Sequence, residues 1–167
     1  MSLDSGQLTT LRNNINSIPE LSGQPNNDDG AFYIAAYYNI KATPSYYVWR
    51  SRVPQDEIML NGFDWTRVDN LSVGKSRIWE WMFDNEQRII DASKSNIRAG
   101  INACWTGTQA DQDVRTAVYL HCQRTATRAE KLFAAGSGTS VSGGIGPSTM
   151  GFEGDINYQD VNLARNV

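Results

Sequence analysis

Apolar residues recur along this chain at spacings of three and four, broken by polar runs, prolines and glycines. Leu8, Leu11, Ile15 and Ile18 form the first stripe, with Asp4 or Ser5 placed to cap the helix they predict. Pro19 ends that helix, and the polar run to Asp29 reads as a loop. The acidic pair Asp28–Asp29 suits the positive end of a second helix, AFYIAAYYN. Phe32, Ile34, Ala35, Ala36 and Tyr38 make this second helix apolar nearly all round, so it belongs in a core or under a neighbour.

Between Pro44 and Pro54, SYYVWRSRV is rich in aromatic and β-branched residues and reads as a short strand or an extended crossing segment. Pro54, followed by Gln55, Asp56 and Glu57, opens a short helix that stops at Asn61–Gly62. Phe63, Trp65 and Val68 form a brief apolar patch. Ser72 caps VGKSRIWEWMFDN, whose buried stripe is Ile78, Trp79, Met82 and Phe83, with Trp81 turned partly away. A helix from Asp91 carries Ile97, Ile101 and Cys104 and breaks at Thr106–Gly107. ADQDVRTAVYLHCQR repeats the pattern with Val114, Ala117, Val118 and Cys122. Thr127 caps a last short helix, RAEKLFAAG, closed by Gly136. The pattern predicts an all-α fold, a helical bundle body over residues 1–134.

Beyond it the pattern changes. Seven of the 14 glycines fall between Gly136 and Gly154, so a regular helix is excluded there. GSGTSVSGGIGPST reads as a flexible linker. In MGFEGDINYQDV, Met150, Phe152, Ile156, Tyr158 and Val161 alternate in part with polar residues, as in a strand or β-hook. Residues 135–167 are thus expected to form an extended C-terminal arm, with Phe152, Ile156, Tyr158 and Val161 as partner-binding anchors.

Composition narrows the function classes. With 167 residues, 40% hydrophobic and 20% charged, the chain has the material for one ordinary core and needs no metal or disulfide staple. A net charge of -3 gives no reason to expect a nucleic-acid binder. The charge is uneven: five basic and eight acidic residues in 1–74, nine and seven in 75–131, one and three thereafter. Such a distribution could help copies attract head to tail, but an ordinary solvated surface is the readier account of it.

Cys104 and Cys122 lie in apolar helical surroundings and read as buried free thiols of an intracellular protein. No apolar run is long enough to span a bilayer, and MSLDSGQLTT lacks the basic start and apolar core of a secretion signal. Synthesis in the cytoplasm and no membrane partner are therefore expected.

Candidate chemistry is thin. His121 is the single histidine, and its neighbour Cys122 points about 100° away on a helix, a poor arrangement for a shared metal. Nothing supplies an oxyanion hole for a Cys104–His121 nucleophile pair. The glycine-rich stretch lacks the lysine and Ser/Thr of a phosphate loop. Asp111 and Asp113 sit at a helix start, where the dipole accounts for them. No catalytic residue, metal or cofactor is expected. Tyr37, Tyr38, Tyr46, Tyr47, Trp49, Trp65, Trp79 and Trp81 crowd together, as residues of cores and interfaces do. Arg50 and Arg52 beside Trp49 are too sparse for a base-stacking surface.

The strings YYNIKATPSYYVWRSRV, IWEWMFDN, SKSNIRAGINACWTGT and FEGDINYQDV resemble the small head–tail connector, or head-completion, proteins of tailed bacteriophages. The resemblance spans most of the chain and carries no catalytic motif. It implies a virion structural protein at the head–tail junction: a ring of about twelve copies beneath the portal, helical bodies side by side and C-terminal arms reaching into neighbours. Its implied partners are further copies of itself, the portal protein and other neck or tail proteins, with DNA only passing through the channel. A tail-terminator or stopper role is the alternative within that class. A small DNA-packaging accessory factor is the alternative outside it.

Overall fold

The computed structural model describes residues 3–60, 63–141 and 146–166. In chain order the helices are α1 (Ser5–Ser17), α2 (Pro19–Ser22), α3 (Asp28–Asn39), α4 (Gln55–Leu60), α5 (Trp65–Asp69), α6 (Val73–Met82), α7 (Ser95–Cys104), α8 (Gln109–His121), α9 (Arg128–Phe133) and α10 (Tyr158–Asn166). The strands are β1 (Tyr47–Trp49), β2 (Val53–Pro54), β3 (Ile89–Ile90), β4 (Gln123–Thr125), β5 (Ala134–Ala135) and β6 (Thr149–Met150).

The expectation of an all-α fold is overturned. Among the described residues helix accounts for 56% and strand for 11%, with three two-stranded sheets ordered β1–β4, β2–β3 and β5–β6, so the fold is mixed α/β with helix dominant. The reason is non-local. In β2–β3, Val53 pairs with Ile90 and Pro54 with Ile89, antiparallel, across more than thirty residues. Helical periodicity on either side of such short runs conceals them, and residues such as Gln123–Thr125 or Ala134–Ala135 have no strand-like pattern of their own.

The extended C-terminal arm is also corrected. Tyr158–Asn166 is helical, opened by Asn157, whose Oδ1 accepts from Asp160 N (2.8 Å) while Asp160 Oδ2 accepts from Asn157 N (3.1 Å). Many described residues of the glycine-rich stretch before it are hydrogen-bonded into the fold. Tyr47 N donates to Gly138 O (2.8 Å), Ser148 N to Tyr47 O (2.9 Å) and Trp49 N to Ser148 O (3.0 Å). Gly136 has φ +133, and a Cβ there would lie 2.8 Å from Ser148 Oγ, so glycine serves a close approach.

Local capping rules hold well elsewhere. Asp4 caps α1 and exchanges bonds with Gln7; Thr127 caps α9 and exchanges them with Glu130. Ser72 caps α6. Two helices escape the pattern: α2, which Pro19 opens after ending α1, and α5, where Asp64 caps a run too short to show periodicity. Helix α7 starts at Ser95, because Ile89–Ile90 is spent on β3 and Asp91–Lys94 on a turn. The helix stop expected at Asn61–Gly62 lies outside the described residues.

The chain divides into two compact units. Unit 1 comprises Met1–Tyr46, Thr125–Ala135 and Met150–Val167. Its core joins Leu11, Ile15, Leu21, Ile34, Tyr38, Ala129, Phe152, Ile156, Val161 and Ala164. Helices α1 and α3 pack on α10, whose buried Asp160 also accepts from Leu3 N (3.5 Å). Gly30 on α3 sits so close to the Pro25 carbonyl that a Cβ would approach it to 2.1 Å.

Unit 2 comprises Tyr47–Arg124 and Gly136–Thr149. Its centre is aromatic: Trp79 and Trp105 meet edge-on at 4.5 Å between ring centroids, flanked by Phe83 and Phe63. Trp49, Ile58, Ile101, Val118 and Tyr119 extend this core. Trp79 on α6 and Phe83 at its C-cap are buried, Ile78 and Met82 pack against them half-buried, and Trp81 faces solvent.

Candidate functional site

Three groups of residues are candidates for a site: the four C-terminal anchors, the polar and thiol residues of unit 2, and a basic hollow in unit 1.

The anchors lie within the chain's own fold. Phe152, Ile156 and Val161 are buried in the unit 1 core, and Phe152 meets Phe133 edge-on at 5.7 Å. Tyr158 packs half-buried against that core and stacks on Phe32 of α3 at 4.3 Å. Asn39 holds this segment from α3, donating from Nδ2 to Ile156 O (2.9 Å) and accepting at Oδ1 from Ile156 N (3.0 Å). Glu130 adds a second tie: its carboxylate accepts from Gly154 N (3.1 Å) and Thr127 N (2.9 Å).

In unit 2, Arg50 grips Glu57 with both guanidinium nitrogens, one at 2.9 Å, and also donates to His121 O (2.9 Å). His121 Nδ1 lies 3.7 Å from the same Glu57 carboxylate. The hydrogen bonds from Arg50, with its charge behind them, hold Glu57 below the usual carboxylate range. The cysteines are free and buried. Burial pushes Cys104 up to about 11 and Cys122 to about 12, keeping both protonated at neutral pH. Cys104 donates its S–H to Lys75 O (3.4 Å), away from any pairing with His121. Among the described residues no three His, Cys, Asp or Glu side chains cluster as a metal site would require, and no helix is long and apolar enough to cross a membrane.

The third group was not legible in the sequence. Helix α9 turns Glu130 inward, buried, while Arg128 and Lys131, one turn apart, face a hollow of about 380 Å3. Asn14 and Ile18 line it near α1, Tyr37 and Tyr38 on α3, Ala42 and Thr43 after α3, and Leu132 on α9. The Arg128 guanidinium lies over the Tyr37 ring at 4.0 Å from its centroid, and its Nη1 reaches Tyr37 O only at 3.4 Å. Lys131 Nζ sits 5.5 Å from the Tyr46 ring centroid. Tyr38 donates its O–H to Asn14 Oδ1 (2.6 Å), and burial drives its ionisation well above the ordinary tyrosine value. Two cations therefore border a hollow lined by both polar and apolar side chains, none of the described ones a carboxylate.

Solvent-facing apolar side chains complete the picture. Trp65, Val73, Trp81 and Leu120 are exposed in unit 2, and Phe32, Tyr33, Ile40 and Leu163 in unit 1.

With this geometry in hand, the chain was compared with known proteins: no protein-family model, no curated protein and no solved structure matches it.

Proposed function

We propose that this chain is a virion structural subunit of the tailed-phage head–tail connector type, a member of a ring that joins portal to tail. The observation that carries the reading is Trp81. It lies within IWEWMFDN, one of the strings that resemble connector proteins, and is 70% exposed, two residues from the 3%-exposed Trp79. A tryptophan held on the rigid face of a helix, open to water, leaves on the order of 3 kcal/mol of burial free energy unspent. Trp65, 55% exposed, adds a second such ring in the same unit. Exposed aromatic side chains of this kind anchor protein interfaces. Joining is assigned to these helical faces, since the former arm anchors are engaged in the chain's own fold.

The test is native mass measurement and electron microscopy of the purified chain with and without the portal protein of its phage. Ring complexes on the portal that Trp81→Ala weakens support the reading. A chain that never associates with the portal removes it, and duplex-DNA binding in place of portal binding substitutes a packaging-accessory role.

A further inference from the structure

We propose that the hollow bordered by Arg128 and Lys131 is a recognition site for an acidic segment of a partner protein, taking one carboxylate beside an apolar side chain. The inference stands on unit 1 alone and does not require the connector reading.

The geometry carries it in three parts. First, Arg128 is held flat on Tyr37, which fixes the plane of its guanidinium without neutralising it. Among the described residues it forms no ion pair, and its hydrogen bond to Tyr37 O is long at 3.4 Å, leaving donor capacity free. A fixed planar fork suits the two oxygens of a carboxylate. Second, Lys131 places another positive charge one helical turn away, likewise without an ion-pair partner among the described residues. Third, the floor between them is mixed: Ile18, Tyr37, Ala42 and Leu132 supply apolar and aromatic surface, Asn14 and Thr43 polar groups. A bare phosphate would use the cations and leave that floor wet, whereas a peptide covers both.

Two carboxylates close by have partners of their own. Glu20 lines a neighbouring hollow that shares Tyr37 and Arg128, and it accepts the Tyr33 O–H. Glu130 is turned inward onto Thr127 and Gly154.

The experiment is heteronuclear NMR titration of the full chain, following the Arg128 side chain, the Tyr37 and Tyr38 rings and the Leu132 methyls. Four probes are used: acetyl-Leu-Glu-Leu-amide, its glutamine counterpart, inorganic phosphate and a thymidine oligonucleotide. The expected result is saturable shifts with the glutamate peptide, weakened by salt and at least about tenfold weaker with the glutamine peptide. Lys131→Gln and Arg128→Lys should each weaken it several-fold, and both should keep the fold because they retain the aliphatic stems. The proposal is overturned if the glutamate peptide gives no shifts, if both peptides bind equally, or if neither variant alters binding. It is overturned too if phosphate or the oligonucleotide binds there while the peptide does not.

Discussion

Asn39 and Ile156 exchange two hydrogen bonds across 117 residues of sequence, the side-chain amide of one satisfying both backbone groups of the other. This pairing fixes the C-terminal segment on α3 where a regular sheet or helix ladder would otherwise be needed. Asn39→Ala leaves a part-buried N–H and C=O without partners and should cost about 2 kcal/mol in denaturant titration. Asn39→Asp keeps the acceptor but turns a carboxylate oxygen toward the Ile156 carbonyl in place of the donor, so it too should lose stability. Equal stability of all three forms would show that the amide is not what holds the segment.

Trp79 and Trp81 lie on one helix and should respond oppositely. Trp79→Ala opens a cavity among Phe63, Phe83 and Trp105 and should cost on the order of 3–5 kcal/mol. Trp81→Ala removes a solvent-facing ring and should change the stability of the isolated chain by less than about 0.5 kcal/mol. Equilibrium unfolding of both variants decides it, and similar losses would mean the α6 face is wrongly assigned.

Acid should loosen unit 2 through Glu57. Its folded pKa is depressed, first by the hydrogen bonds from Arg50, so its contribution is complete above the ordinary glutamate value of 4.5. That contribution fades as pH falls through the lower folded value. Thermal melts across the acidic range should therefore show a smaller loss on acidification for Glu57→Gln than for the unaltered chain. An identical acid limb would assign the loss to other carboxylates, Asp111 being the next to test, since Thr108 holds it low as well.

Both thiols should be inert in the native protein. Cys104 and Cys122 are buried and protonated at neutral pH, so a chromogenic disulfide reagent should modify neither until denaturant is added. Rapid labelling of the folded chain would contradict their placement.

Truncation after Gly136 should unfold unit 1 rather than release a tail. It removes Phe152, Ile156, Val161 and Ala164 from that core, at about 1.5–3 kcal/mol for each large side chain. Circular dichroism of the shortened protein should show helix lost well beyond the nine residues of α10. A loss confined to those nine residues would restore the idea of a separable arm.

What was legible in the sequence was local. The Asp4–Gln7 and Thr127–Glu130 boxes and the α6 stripe depend on neighbours three or four residues away, and a linear pattern records such spacings. Strand β1 was legible within SYYVWRSRV, but the strand pairings were not: Val53 finds Ile90, and neither run is long enough to show alternation. Glycine content made residues 136–154 look like a tether, while described residues among them hydrogen-bond to Tyr47, Gln123 and Glu130, distant positions that composition does not reveal. One signal was present and passed over: Asn157 and Asp160, three residues apart, mark the start of α10. The basic hollow has the same character as the sheets. Arg128 and Lys131 show their helical spacing in RAEKLF, but Asn14 and Tyr37 reach them only through tertiary packing.

Unit 1 is drawn from three separate stretches, with most of unit 2 lying between the first and the second. On the ribosome, α1 and α3 must therefore wait, their apolar faces uncovered, while more than a hundred residues are synthesised before α10 arrives to cover them. The long Asn39–Ile156 loop makes this a slow, high-separation closure. Unit 2 needs nothing beyond Thr149 and can settle earlier. A ribosome that stalls before Tyr158 thus yields a chain with an open unit 1, a substrate for chaperones and proteases. Such a chain would present the walls of the basic hollow, which α1, α3 and α9 supply, on a unit 1 that has not yet settled.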